Sequence, residues 1–249
     1  MSRNVPSILK AIRVLDLLAD NFPNALQLKE IDTALGLPPS TALGICVTLS
    51  EAEMIARDAR GLYSLGPHTA TLARAYLSGR NPVDNLTEAL MLVPELRTET
   101  VIVGVLQGVD VVYVACRTGM RPIAIQYQIG MRLPAHCSAC GKAALSLLPE
   151  SQVVERFHNE DLLVRSTGQK RALKDLIDEL EVIRQRGYAF DNEEVAPGMV
   201  CYGAPICDME GRPIAAVGVS CVKAAVGDDD HSAYAEAVMR LAKYLSGAH

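Results

Sequence analysis

Residues 28–66, LKEIDTALGLPPSTALGICVTLSEAEMIARDARGLYSLG, decide how the rest of the chain is read. Leu28, Ile31 and Leu35 recur at three- and four-residue steps and share one helical face. Gly36 follows where a left-handed C-terminal cap is wanted. Pro38 and Pro39 suit the first turn of a new helix, where a missing N–H costs nothing, and Ala42, Ile45, Cys46 and Leu49 continue an apolar face. Two helices joined by a short turn containing Gly form a helix-turn-helix, whose second helix enters the major groove of duplex DNA. Met54 to Ala56 and Leu62 to Leu65, joined across Asp58 to Gly61, have the pattern of a two-stranded wing. The spacing therefore predicts a winged helix-turn-helix.

Upstream, Ser7 to Leu18 places Ile8, Ala11, Ile12, Leu15 and Leu18 on one face and Lys10 and Arg13 on the other, which predicts an amphipathic supporting helix. Arg3, in the arm before it, is a candidate for a groove or phosphate contact, with a disordered tail as the alternative. Downstream, Leu72, Ala73 and Tyr76 give Pro67 to Leu77 a helical spacing that Gly79-Arg80-Asn81-Pro82 breaks. The predicted organisation is a DNA-binding domain over 1–66, a linker helix over 67–81 and a larger domain over 82–249.

At 249 residues the chain has room for two modest domains. It has no Trp and only three Phe, so gripping of unpaired bases by aromatic stacking, as in RNA readers, is disfavoured. No apolar run reaches the roughly 20 residues that a spanning helix needs, and the polar start MSRN is unlike a signal peptide, so the expected location is the cytoplasm. Seven cysteines at scattered spacings fit reduced thiols better than a disulfide framework. The net charge of −5 is unevenly spread: residues 1–80 carry eight Lys and Arg against seven Asp and Glu, a balance of +1, and residues 81–249 carry −6. The acidity lies away from the predicted DNA face.

In the second domain Val83 to Leu96 reads as helical, and Val101 to Leu106 with Asp110 to Arg117 reads as a hairpin around Gln107-Gly108. Pro122 to Tyr127 is a predicted third strand. Gly141 to Leu148, Leu173 to Gly187 and Ser232 to Leu245 have helical patterns. Tyr188 to Asp191, Val200 to Cys207 and Pro213 to Val222 read as strands, with Asp208 to Gly211 turning between the last two. Asp228 to Asp230 reads as a helix start rather than a metal site. Hairpins with helices between them imply an α+β sheet domain rather than a doubly wound one.

These residues resemble the IclR-type bacterial transcriptional regulators over nearly the whole chain. The most specific motifs are LGLPPST at Leu35–Thr41, R-x-x-x-G-x-Y-x-L-G from Arg57 to Gly66, RLPAH-x-SA-x-GKA from Arg132 to Ala143, GYAFDNEE from Gly187 with Gly198 and Cys201 after it, and API-x-D-x-x-G from Ala204 to Gly211. The resemblance implies a C-terminal GAF-like domain that binds an effector and carries oligomer contacts. It also implies a homodimer or homotetramer on a pseudo-palindromic operator of double-stranded DNA, controlling a catabolic or metabolic operon. The implied effector site lies where Ser138 and Ala139 precede a helix beginning near Gly141, with Asp191, Cys201 and Ser220 facing it. A helix start there would favour a carboxylate, so a small organic acid is the expected ligand. Relatives for very small oxoacids often have Ser where Gly218 stands; the space left here points to a larger acid, aromatic acids included.

One departure concerns the second helix of the motif. Members commonly carry a His-Arg pair and a further Arg where this chain has Leu43, Gly44 and Val47, and Pro38 to Ser50 contains no charged residue. The remaining candidates for DNA contact are Ser40 and Thr41 at the helix start and Arg57 and Arg60 on the wing, through phosphates and duplex shape. A degraded DNA reader is the alternative. A second alternative is a redox regulator using Cys137 and Cys140, a C-x-x-C beside His136; no further ligand pair completes a metal set, and no cofactor is implied. The five histidines are scattered and no G-x-S-x-G or Walker loop occurs, so no enzyme is expected.

Overall fold

Gly36 fixes the turn of the amino-terminal unit. The computed structural model describes residues 4–77, 86–121, 126–227 and 230–247, and the chain divides into two compact units, Met1–Ser78 and Gly79–His249. The first contains α1 (Pro6–Asp20), α2 (Leu28–Leu35), α3 (Pro39–Glu51), β1 (Ile55–Arg57), β2 (Tyr63–Leu65) and α4 (His68–Leu77). Helix α2 opens with a capping box, the Gln27 amide donating to Glu30 Oε2 at 2.6 Å. It closes at Gly36, whose φ of 62° lets the Gly36 and Leu37 amides turn back onto the Thr33 and Asp32 carbonyls. Pro39 then starts α3.

The core of this unit is Val14, Leu18, Ile31, Cys46, Ile55 and Tyr63. The wing pairs Ile55 with Leu65 and Arg57 with Tyr63, and Leu26 exchanges two backbone hydrogen bonds with Tyr63 at 2.9 and 2.7 Å. The expected winged helix-turn-helix is therefore present. The phase of α1 differs from the expectation: Val14 and Leu18 are the buried positions, while Ile8 and Ile12 are 58% and 46% exposed. This helix carries apolar residues on most of its surface, so spacing alone could not identify the stripe that packs. Helix α4 forms at the predicted place and buries none of its side chains.

The second unit contains α5 (Leu86–Met91), a 3-10 turn (Pro94–Leu96), β3 (Thr100–Gln107), β4 (Asp110–Arg117), β5 (Arg132–Pro134), α6 (Ala139–Ser146), α7 (Glu150–Phe157), α8 (Leu173–Arg186), β6 (Ala189–Asn192), β7 (Met199–Cys207), β8 (Pro213–Val222) and α9 (Asp230–Leu245). Its six strands form an antiparallel sheet in the order β5-β4-β3-β8-β7-β6. Alternation along the strands sorts the side chains. Cys201, Gly203, Gly218 and Ser220 face α6, whereas Tyr202 on the other face meets His231 and Tyr234 of α9. The core on the α6 side joins Tyr113, Leu133, Ala143, Leu145, Phe157 and Leu180.

The predicted hairpins are found, and the α+β architecture with them. Of the expected third strand, residues 122–125 lie outside the described residues, and Gln126 and Tyr127 are not in a strand. It is Arg132–Pro134 that pairs with β4, after Gly130 and Tyr113 have begun the pairing through their backbone bonds. Residues 79–82, where the helical spacing breaks, and residues 228 and 229 also lie outside the described residues. Helix α7 is an addition to the sequence reading; its eight residues bury only Val153 and Phe157, too short a pattern to stand out.

Helix α6 lies unusually close to the sheet. A Cβ at Gly203 would stand 2.5 Å from the Ala139 carbonyl oxygen, and one at Gly141 would collide with the Ala135 backbone. Substituting Gly203→Ala is therefore expected to destabilise the second unit by about 1–3 kcal/mol, as overpacking does. Urea unfolding monitored by circular dichroism checks this; an unchanged midpoint would contradict it.

Candidate functional site

On the first unit, Ser40 is exposed and Thr41 half-buried at the start of α3. Pro39 has no N–H and the Thr41 amide donates to the Pro38 carbonyl at 2.9 Å, so this end offers an anion the Ser40 amide and the two hydroxyls. On the wing, the exposed Arg57 guanidinium stacks over the Tyr63 ring, 5.4 Å from its centroid. Arg60 instead pairs with Asp58 at 3.0 Å. Asp58 is held below the usual carboxylate range first by the Leu62 amide and then by Arg60. Of the two wing arginines, Arg57 thus has an aromatic partner and Arg60 a competing carboxylate. Ser40, Thr41, Gly44 and Thr48 also border an open groove of about 400 Å³ against Ser7, Ile8 and Ala11 of α1.

On the second unit, the register places Asp191, Cys201 and Ser220 directly opposite one another across β6, β7 and β8. Opposed residues of antiparallel strands share a face, so the three side chains form one row. All three are buried. Above the row, Ser138 caps α6, its Oγ accepting the Gly141 amide at 3.2 Å. That leaves the amides of Ala139 and Cys140 as the donors with no intrahelical acceptor. The sequence-predicted residues are thus brought to one place, Ser138 and Ala139 from a helix start and the other three from the sheet.

Tyr127 joins them unforeseen. Its hydroxyl lies 3.2 Å from Ser220 Oγ and 3.7 Å from Cys201 Sγ, and Cys201 is itself 3.3 Å from Ser220. Its ring meets Tyr113 edge-on at 5.5 Å. No sequence signal marked Tyr127, because it lies in a segment read as a strand.

Burial pushes the Asp191 carboxyl up to about 7, against the pull of the Lys142 charge and the amides of Glu194 and Val195; Glu194's charge adds to the rise. Its Oδ1 accepts the Glu194 amide at 2.7 Å. Lys142 is fully buried on α6 and donates to Glu179 at 2.9 Å, to the Phe190 carbonyl at 2.6 Å and to Glu194. Arg171 completes the network, 2.5 Å from Glu179 and 3.7 Å from Glu194. A charge inside the apolar run ACGKAALS was the available signal for Lys142.

Two expectations change here. The space at Gly218 is filled: a Cβ there would stand 2.6 Å from Cys140 Sγ, so the glycine accommodates that thiol and does not enlarge the site for a ligand. Cys137 and Cys140 are both buried, and burial pushes them up to about 11 and about 12. Reactive thiols need the opposite shift, so the redox alternative gains no support from this pair. His136 is tied to the Leu163 carbonyl at 3.0 Å. Among the described residues no cluster of metal-ligating side chains occurs, and no single helix is long and apolar enough to cross a membrane.

Comparison with known proteins agrees with this two-part arrangement. The IclR helix-turn-helix domain model matches residues 7–59, and the model of the bacterial transcriptional regulator IclR C-terminal domain matches residues 75–247. The chain belongs to the IclR family. It is accordingly a DNA-binding, ligand-responsive transcriptional regulator. This IclR-family chain is 31% identical to the HTH-type transcriptional regulator BhcR of Paracoccus denitrificans, over 98% of this chain and 88% of that one. Among solved structures, the repressor BlcR of Agobacterium tumefaciens is 33% identical, with a TM-score of 0.61 over 99% of this chain and 98% of that one. An IclR homologue of Microbacterium hydrocarbonoxydans, crystallised with 4-hydroxybenzoate, shares the fold at 18% identity, with a TM-score of 0.80 over 97% of this chain and 99% of that one.

The raised Asp191 pKa has a measurable consequence. A carboxyl whose folded value of about 7 exceeds its unfolded value of about 4 favours folding below pH 4 and loses that contribution as pH rises towards 7. Wild-type stability relative to Asp191→Asn should therefore fall by up to about 1.4 kcal/mol per pH unit between pH 4 and 7 and then level off. Paired denaturation curves across pH 4–8 test this; a constant difference would contradict it.

Proposed function

We propose that this regulator binds a pseudo-palindromic operator as a homodimer or homotetramer, through Ser40, Thr41, Arg57 and Arg60, and senses a small organic acid with Ser138, Ala139, Asp191, Cys201 and Ser220. The observation that carries the second half is the buried polar row Asp191–Cys201–Ser220 beneath the start of α6. Two helix amides attract a carboxylate, and the hydroxyls of Tyr127 and Ser220 offer further hydrogen bonds. A protonated Asp191 can donate to an anion, and an ionised one can accept from a ligand hydroxyl. The phenol rings of Tyr113 and Tyr127 and the 4-hydroxybenzoate in the Microbacterium homologue support an aromatic acid within this class. The protein acts by binding and not by catalysis, and its operon is catabolic or metabolic.

Thermal melting with millimolar 4-hydroxybenzoate, benzoate, pyruvate and glyoxylate tests the sensor. At a hundred times its dissociation constant a true ligand adds about 2.7 kcal/mol of stability, so at least one acid should raise Tm for wild type and less for Ser220→Ala. A flat panel would count against an organic-acid sensor.

For the DNA-binding unit, affinity should fall steeply with salt, since phosphates dominate. Arg57→Ala is expected to reduce the slope of log K against log salt by about one. Arg60→Ala should change it less, because Asp58 already holds that guanidinium. Fluorescence anisotropy with a labelled duplex reads both; equal slopes for wild type and the double variant would contradict phosphate contact by the wing.

A further inference from the structure

The side of α3 turned away from the core of its unit has an unusual composition. Ser40, Leu43, Gly44, Val47 and Thr48 follow the i, i+3, i+4, i+7, i+8 pattern of a single stripe, while Ala42 and Cys46 lie beneath it in the core. Leu43 and Val47 are 45% and 46% exposed. Gly44 has open space about its Cβ position. The Thr48 hydroxyl donates to the Gly44 carbonyl at 2.9 Å, which commits its proton within the helix and leaves the side chain with its methyl and an acceptor oxygen. In a helix-turn-helix this is the helix that enters the major groove. Its outward stripe carries no amide, guanidinium or ammonium with which to address base edges.

We propose that α3 reads its operator through the 5-methyl groups of thymines, packed against Leu43, Val47 and the Thr48 methyl. The inference rests on the DNA-binding reading above and names its specificity. The thymine methyl is the one apolar feature that a base pair presents in the major groove. Guanine O6 and N7 and the cytosine amino group, covered by leucine or valine, would lose water without gaining a partner, so G·C pairs are disfavoured under these side chains. Gly44 removes the side chain between the two apolar residues and lets the helix backbone approach the base edges closely. Ser40, at the helix start, remains available for a phosphate. Selectivity then arises from shape and methyl contact, while the wing supplies charge.

The test begins by selecting duplexes from a random-sequence library with the full-length protein, then resynthesising the enriched duplex with 2′-deoxyuridine in place of thymine in each half-site. This exchange deletes only the methyl and leaves the protein untouched. The expected result is A·T-rich half-site centres and a loss of affinity of about fourfold for each contacted methyl removed. Leu43→Ala with Val47→Ala should then bind the thymine and deoxyuridine duplexes equally. Enriched half-sites with G·C centres, or equal affinity of wild type for the two duplexes, would overturn the inference and leave DNA binding standing. Salt-sensitive duplex binding without any enrichment would also overturn it, and an absence of duplex binding would overturn the DNA-binding reading as well.

Discussion

The close seating of α6 on the sheet is the contact on which the second unit depends. Gly203 admits the Ala139 carbonyl, Gly141 admits the Ala135 backbone and Gly218 admits the Cys140 thiol. At none of these positions could even a methyl be placed without moving backbone or sulfur. The helix start, with its unpaired amides, is thereby held over the row in which Asp191, Cys201 and Ser220 stand opposite one another. A looser helix would leave the donors and the row as unrelated surfaces.

That seating has electrostatic consequences. It buries Lys142 completely, and a buried ammonium is tolerable only when paired. Glu179 on α8, Glu194 after β6 and the Phe190 carbonyl provide the pairing, so one side chain ties α6 to the two elements that flank Asp191. Asp191 accepts the Glu194 amide but lies outside the direct ion pairs. Burial therefore dominates its proton affinity and sets it near neutrality. A carboxyl poised in this way can act as either a hydrogen-bond donor or an acceptor near neutral pH.

Much of this was legible in the chain because local chemistry dictates it. Gly36 and Gly187 end helices with positive φ, as their places after apolar-periodic runs require, and the wing and the Gln107-Gly108 hairpin follow from turn residues between β-rich runs. The row of site residues followed from motif resemblance, with the sheet register supplying the geometry. What escaped depends on tertiary packing. The buried stripe of α1 could not be chosen among several apolar faces, and Lys142 has partners 37 and 52 residues away that no local pattern links. Tyr127 reaches Ser220 across 93 residues. Gly218 misled for a related reason: a missing side chain was read as space, although the neighbouring helix fills it with Cys140.

The central claim is that the start of α6 and the Asp191–Cys201–Ser220 row form one acid-binding site. A crystal structure of this chain grown with the acid that gives the largest thermal shift tests it most directly. The expected result is a carboxylate within hydrogen-bond reach of the Ala139 and Cys140 amides, with Tyr127 or Ser220 turned from its present partner towards the ligand. An acid bound elsewhere, with the Tyr127–Ser220 contact intact over the row, would contradict it.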